Sequence, residues 1–286
     1  MNGAPPAPAP ALLRGWRYLR LLLRLLAGIL TVALLFPFYG RGRRWRAVQR
    51  WSAGIVRALG IEVVVHGAPP PGAVLGVANH VSWADIQVIH SVWPVRFVAK
   101  SEVRGWPAVG WLAARTGTLF IARGRHRQAA STNQAIHRAF ADGDAVMVFP
   151  EGTTTDGRSL LRFHASLLQP AVDEHVPVVP LALRYLDENG AIDTAPAYVG
   201  DDSLLDALRQ MIARRRIRAE LRFLPAIDGR TQTRRALAEA SHAAIARALT
   251  LPAAGTGSGT PGGLPAAAPL AAAPKDSRCR APADSA

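Results

Sequence analysis

The sequence predicts an α/β layered domain with a largely parallel or mixed sheet, preceded by an N-terminal membrane-associated helical segment. Three observations carry that expectation. From Ile61 onward, short apolar runs alternate with longer runs of helical periodicity. The polar residues able to do chemistry gather where the strand-like runs stop, which is where such sheets build their sites. Upstream, a leucine-rich stretch is bracketed by arginines, and no acidic residue precedes Glu62.

Taken in order, residues 1–11 are Pro/Ala-rich and are expected to be disordered. Leu12 to Leu26 is leucine-rich and carries Arg14, Arg17, Arg20 and Arg24. It runs into an uncharged stretch from Leu25 to Tyr39. A helix of that length covers only ~23 Å, against a hydrocarbon core of ~30 Å. Arg41, Arg43, Arg44 and Arg46 close the far side, so the positive-inside rule gives no orientation. The expectation is a helix that dips into one leaflet with both basic flanks in one aqueous compartment, rather than a full span. No small-residue cleavage site follows the apolar run, which argues against a signal peptide.

Between Arg43 and Leu59 the apolar residues fall near helical spacing, with Trp45 among them, and Arg44, Arg46, Arg50 and Arg57 occupy other positions. This reads as a basic amphipathic helix suited to an anionic membrane surface, the alternative being a surface helix that covers a core.

The strand-like runs that follow are Ile61–Val65, Ala73–Ala78, Val95–Ala99, Thr118–Ala122, Ala145–Phe149, Val176–Arg184 and Ile217–Leu224. Helix-like runs lie between and after them: Ile86–Val92, Ala108–Ala114, Gln128–Ala141, His164–Asp173, Leu204–Ala213 and Arg230–Leu249. After Leu251 the chain is Ala/Pro/Gly-rich without periodicity and reads as a disordered tail. The expected divisions are therefore 1–60, 61–250 and 251–286.

Composition narrows the classes. The chain has 34 Lys+Arg against 20 Asp+Glu, a net +14, and the cations are nearly all arginine. That balance fits an anionic partner. No recognisable nucleic-acid motif accompanies it, so the expectation is a lipid surface and no nucleic acid. The single Cys279 excludes an intrachain disulfide framework and a cysteine zinc site. No H-E-x-x-H pattern is present and no metal is expected.

The chemistry centres on Asn79-His80-Val81-Ser82-Trp83-Ala84-Asp85, between an apolar strand-like run and a helix-like one. A histidine at a strand end can meet a carboxylate in the first turn of the next helix. The carboxylate fixes the tautomer and stabilises the imidazolium, which leaves the other ring nitrogen to take a proton. Taken alone, the pair also suits a helix start with an acid favouring the dipole. Three further blocks lie at or beside strand ends. Gly117-Thr118-Leu119-Phe120-Ile121-Ala122-Arg123 delivers a guanidinium suited to phosphate. Phe149-Pro150-Glu151-Gly152-Thr153-Thr154-Thr155 ends in a turn whose glycine permits close backbone approach. Val176-Pro177-Val178-Val179-Pro180-Leu181 carries two prolines, which restrict it to an edge or strand-terminal place.

N-H-x4-D, G-T-L-F-I-x-R, F-P-E-G-T and V-P-V-V-P, in this order and at these separations, resemble the four motifs of the glycerolipid acyltransferase family, which includes the bacterial 1-acyl-glycerol-3-phosphate acyltransferases. The match covers roughly Ile61 to Tyr185, making 61–250 the expected acyltransferase domain. The resemblance implies transfer of a fatty acyl group from acyl-CoA or acyl-carrier protein to the hydroxyl of a lysolipid, with phosphatidic acid as the product. It implies His80 as general base and Asp85 as its orienting partner. It places Arg123, Glu151 and Gly152 on the acceptor, with Asn79 and Thr153 beside them, and Pro180 in the donor site. No cofactor is implied beyond the thioester co-substrate. The expected location is the inner or plasma membrane, with the site on the cytoplasmic face.

Departures bear on the acceptor. Thr154 stands where many phosphatidate-forming members have arginine, Phe163-His164 where relatives often have Phe-Lys, and Ala122 where an acid is common. Arg158 and Arg162 are near enough in sequence to substitute. Lyso-ornithine lipid is thus an alternative acceptor. A hydrolase using Ser82, and a non-catalytic basic membrane-surface protein, are the alternatives from other classes.

Overall fold

A computed structural model describes residues 8–121, 126–199, 203–230 and 232–250. In chain order the elements are α1 (Ala11–Leu30), α2 (Arg41–Ala58), β1 (Ile61–His66), β2 (Leu75–Ala78), α3 (Ala84–Val92), β3 (Arg96–Lys100), α4 (Val109–Arg115) and β4 (Leu119–Ile121). Then follow α5 (His126–Ala141), β5 (Val146–Val148), α6 (Gln169–Asp173), β6 (Val178–Leu186), α7 (Leu204–Ala213), β7 (Ile217–Phe223) and α8 (Arg234–Thr250). Each strand-like run in the sequence contains or overlaps one of these strands.

The strands form one sheet in the order β1-β7-β6-β2-β5-β3-β4. Strands β2 to β6 run parallel, β7 is antiparallel to β6, and β1 is parallel to β7. The sheet is buried on both faces, which is why its central strands are apolar without alternation. Residues Val179, Leu181, Leu183 and Tyr185 of β6 face a core shared with α2, α3 and α7. Val178 and Ala182 face a second core with α5, α6 and α8.

Of the two places that proline allows, the structure takes the strand start, on a strand that is central rather than at an edge. Pro180 is the third residue of β6, and its carbonyl accepts from the Leu224 amide at 3.0 Å, just past the end of β7. The N–H that proline lacks would face that same side, where the ladder is already ending.

The N-terminal segment departs from expectation. Helix α1 continues through a π turn (Thr31–Leu35) and a 3-10 turn (Phe36–Phe38), giving 28 residues from Ala11 to Phe38 that are long and apolar enough to cross a membrane. Both ends are nevertheless tied to the sheet domain. Arg17 is buried and donates to the carbonyls of Ile212 (3.1 Å), Arg214 (2.5 Å) and Arg215 (2.7 Å), capping the end of α7. Arg41 donates to the Asp142 carbonyl at 2.5 Å and pairs with Asp144, just before β5. Because β5 and β7 run in opposite directions, their starts lie at opposite ends of the sheet. Helix α1 therefore lies along the domain instead of projecting from it. Its outer side is a stripe of exposed Leu12, Trp16, Leu19, Leu23, Leu26 and Leu30.

Helix α2 is amphipathic, and its apolar side takes the second of the two readings, covering a core. Its apolar side, Val48, Ile55, Val56 and Ala58, is buried, most of it in the core shared with α3. Trp51 lies against Gly28 and donates to the Arg24 carbonyl at 2.6 Å, so it faces α1 and not lipid. Only the arginine side stays outward, with Arg43, Arg46, Arg50 and Arg57 exposed. The two helices pack with the sheet as one unit through Leu251, so residue 60 is not a division in the packing.

One buried group on α3 links the fold to pH. His90 packs edge-on against Phe97, with ring centroids 4.8 Å apart, and burial lowers its pKa to about 3. In the unfolded chain it titrates near ~6.5. Between those values the unfolded state holds a proton that the folded state does not. Its contribution is therefore full above the unfolded pKa and is lost as pH falls toward the folded one. His90→Phe is expected to flatten the acid side of the stability curve, by ~2 kcal/mol at pH 5. Thermal midpoints of wild type and variant between pH 7 and 4.5 check this, and parallel curves would refute it.

Candidate active site

The site forms where β2 ends. At Asn79 the side chain takes over strand pairing: its amide donates to the Leu183 carbonyl and its oxygen accepts from the Leu183 amide, both at 2.8 Å. The main chain is then free to turn, and His80 leaves the sheet with both backbone groups held. Its amide donates to Glu151 Oε1 at 2.8 Å, and its carbonyl accepts from the Thr155 amide at 2.9 Å. The imidazole stacks on Phe149, with centroids 3.9 Å apart and planes 9° apart, and Phe149 stacks on Phe97.

Asp85, in the first turn of α3, meets this ring. His80 Nδ1 lies 2.8 Å from Asp85 Oδ2, which also accepts from the amides of Val81 (2.8 Å) and Ser82 (3.0 Å). The Tyr185 hydroxyl donates to Asp85 Oδ1 at 2.7 Å. A carboxylate is an acceptor only, so Nδ1 carries the proton and Nε2 holds a lone pair. Asp85 is 0% exposed whereas the His80 side chain is 18% exposed, and among the described residues Nε2 has no hydrogen-bond partner. The pair can take a proton at Nε2 from a molecule arriving from outside.

The neighbouring groups are tuned by burial. Burial pushes the Glu151 carboxyl above its ordinary range, opposed by the hydrogen bonds from Leu161 and His80. Burial, reinforced by the charge and hydrogen bond of Asp85, pushes the Tyr185 hydroxyl well above its ordinary value, so it stays a donor.

The other expected site residues divide. Glu151 is 4% exposed, and its second oxygen accepts from the Leu161 amide at 2.8 Å. The carboxylate thus joins the main chain of two loops. Asn79 and Pro180 are likewise buried in the sheet. Gly152 has φ +70°, the left-handed turn that requires glycine, and Thr153 is exposed beside it. Thr154 donates its hydroxyl to the Tyr198 carbonyl. Arg158 and Arg162 are exposed on the same loop, and Arg162 lines a cleft of about 430 Å³ with Arg235 and His242 of α8. Arg123 and Ala122 lie outside the described residues. Ser82 is fully buried, with its hydroxyl accepting from the Ala84 amide at 3.2 Å, which removes it as a nucleophile. Among the described residues no group of three His, Cys, Asp or Glu side chains is placed to hold a metal.

Two contributors were not legible beforehand. Tyr185 sits inside an apolar run and meets Asp85 from 100 positions away. The segment Ala195–Val199 belongs to no motif, yet the Tyr198 amide donates to the Val81 carbonyl at 3.0 Å, next to His80 in the chain.

Comparisons with known proteins bear on the family and the fold. A family model described as Acyltransferase matches residues 62–184. The lyso-ornithine lipid O-acyltransferase of Pseudomonas aeruginosa is 38% identical over 206 residues, covering 72% of this chain and 79% of that one. The 1-acyl-sn-glycerol-3-phosphate acyltransferase of Neisseria meningitidis is 36% identical over 187 residues, 65% of this chain and 73% of its own. The solved structure of the 1-acyl-sn-glycerophosphate acyltransferase PlsC from Thermotoga maritima superposes with a TM-score of 0.58 over 82% of this chain and 96% of that one. At 22% identity it is a likeness of fold.

The doubly bonded Glu151 generates a stability expectation. Glu151→Gln keeps the shape but turns an NH2 toward one of two backbone N–H groups, leaving a buried donor unpaired. A loss of ~1–3 kcal/mol is expected. It is read as a lowered thermal midpoint in detergent, and an unchanged midpoint would mean that the carboxylate does not hold these loops.

Proposed function

The chain belongs to the acyltransferase family, and from that premise we propose that it moves a fatty acyl group from a thioester donor, acyl-CoA or acyl-carrier protein, to the hydroxyl of 1-acyl-glycerol-3-phosphate, giving phosphatidic acid. The observation that carries the proposal is the His80–Asp85 pair, with one ring nitrogen fixed on a buried carboxylate and the other left toward the outside. A thioester is already activated, so transfer needs a base for the alcohol, positioning, and donors for the developing oxyanion. His80 Nε2 takes the alcohol proton as the oxygen attacks the carbonyl carbon. The tetrahedral adduct then collapses, the C–S bond breaks, and the imidazolium returns a proton to the departing sulfur. Asp85 stabilises the imidazolium between these steps. The carboxylate of Glu151 holds the main chain that aims His80, and Arg123, Arg158 and Arg162 are the cations proposed for phosphate.

Lyso-ornithine lipid is the second reading of the acceptor. Thr154 supports it, since its hydroxyl is turned onto a main-chain carbonyl and offers no cation where phosphatidate-forming members often have one. Under either reading the leucine stripe of α1 enters one leaflet while the outward arginines of α2 meet anionic headgroups. Thioester donors are cytoplasmic, so the site faces that side.

His80→Ala is expected to lower turnover by ~10²–10⁴-fold in a protein that still folds. Purified enzyme in detergent is given labelled acyl-CoA or acyl-carrier protein with lysophosphatidic acid, lyso-ornithine lipid or no acceptor. Thioester cleavage that depends on an acceptor supports transfer, and the preferred acceptor decides between the two readings. A variant retaining more than about a tenth of the rate would remove His80 as base. For the membrane, Leu23→Asp with Leu26→Asp is expected to weaken binding to anionic vesicles by more than ~10-fold, given ~1.5–3 kcal/mol for each buried leucine. Undiminished sedimentation with vesicles would rule out insertion by this face.

A further inference from the structure

We infer that Tyr185 is a positioning residue of the dyad: its hydroxyl holds the outer oxygen of Asp85 and so sets how tightly the Asp85–His80 pair binds a proton. This rests on the reading of His80 as the base. The geometry is closed around the carboxylate. Asp85 Oδ2 is occupied by three donors, the His80 ring and the amides of Val81 and Ser82. Among the described residues Oδ1 has a single donor, the Tyr185 hydroxyl at 2.7 Å, and Asp85 is 0% exposed. No water can replace a donor lost there without a change in packing.

Tyr185 is itself rigidly placed. It is the eighth residue of β6, on the face covered by α3 and α7, and its carbonyl accepts from the Asp193 amide at 3.0 Å. A buried tyrosine hydroxyl needs an acceptor, so a packing role alone would be met by any carbonyl. Here the acceptor is the carboxylate that bonds the imidazole directly. Each hydrogen bond to a carboxylate stabilises its anion and lowers its hold on a proton. Removing the Tyr185 donor therefore makes Asp85 more basic. The nearest cation that can compensate is protonated His80, so the imidazole pKa must rise.

Other charged groups near the three residues are paired or neutral. Glu151 accepts from the His80 and Leu161 amides. Asp193 pairs with Arg214 at 3.0 Å, and Glu220 on β7 pairs with Arg184 at 2.8 Å and Arg222 at 3.5 Å. His90, further along α3, is kept neutral by burial. None of them touches the Tyr185 hydroxyl, so Tyr185→Phe alters one contact of the carboxylate and keeps the ring.

The test uses the full-length protein in detergent, with labelled histidine and the His80 resonance assigned by its loss in His80→Gln. In Tyr185→Phe the His80 titration is expected to move up by ~0.5–1 pH unit. The acid limb of kcat should move with it, and kcat should fall ~3–30-fold with KM for the acceptor nearly constant. A 3-fluorotyrosine placed at Tyr185, a stronger donor, is expected to move the titration down. Should Tyr185→Phe not fold, the fluorinated protein alone decides. A His80 titration within about 0.2 unit of wild type in every protein obtained overturns the inference and leaves Tyr185 a packed core residue. A shifted titration in a protein that transfers to no acceptor supports this inference and sinks the base reading, so the two failures are distinguishable.

Discussion

A fully buried carboxylate is the constraint that shapes the site. Moving an ionised Asp85 out of water is costly unless its oxygens are matched by donors. The four donors come from two places in the chain: the turn after β2, with the His80 ring and the amides of Val81 and Ser82, and strand β6 at Tyr185. To meet them, β2 has to stop at Ala78, α3 has to begin at once, and β6 has to be the neighbouring strand. The sheet order follows the same requirement. With β2 between β6 and β5, both neighbours serve the site: strand β6 supplies Tyr185, and the loop after β5 supplies Phe149 and Glu151.

The N-terminal helices answer a different demand. A leucine-rich helix on a water-exposed domain needs its apolar surface covered. Here α2 covers only the inner stripe of α1, with Val32, Phe36 and Val48 in a small shared core. The outer stripe has no protein cover among the described residues, while Arg17 and Arg41 hold both ends against the sheet. A helix with its start on α7 and its exit beside β5 runs along the domain, so its exposed leucines lie on its side and not at its tip.

What the sequence disclosed follows the range of the interactions involved. His80 and Asp85 are five positions apart, so one turn suffices to join them, and residue types with spacing carry the inference. Strands were visible because burial on both faces leaves long apolar runs. Tyr185 was hidden because its partner is 100 positions away and a tyrosine in a strand is ordinary. Glu151 was placed on the acceptor by the resemblance; that two backbone amides bond its carboxylate was not readable beforehand, because such pairings have no periodic signature. Arg17 was hidden in the same manner: nothing marks it out among the leucines and arginines around it, yet its guanidinium caps the end of a helix nearly 200 residues later.

The contrast in exposure between the two members of the dyad has a directional consequence. Asp85 is sealed, so protons exchange with the pair only through the imidazole. One face of that ring is covered by Phe149 in parallel contact, and its Nδ1 edge is taken by the carboxylate. What is left is the Nε2 edge and the opposite ring face. A proton donor must therefore reach the pair at Nε2, in the ring plane. On the loop after β5 the Thr154 hydroxyl donates to the Tyr198 carbonyl, which ties that loop to the segment bonded to Val81. Thr154 therefore brings neither a charge nor an uncommitted hydroxyl proton to the loop after β5.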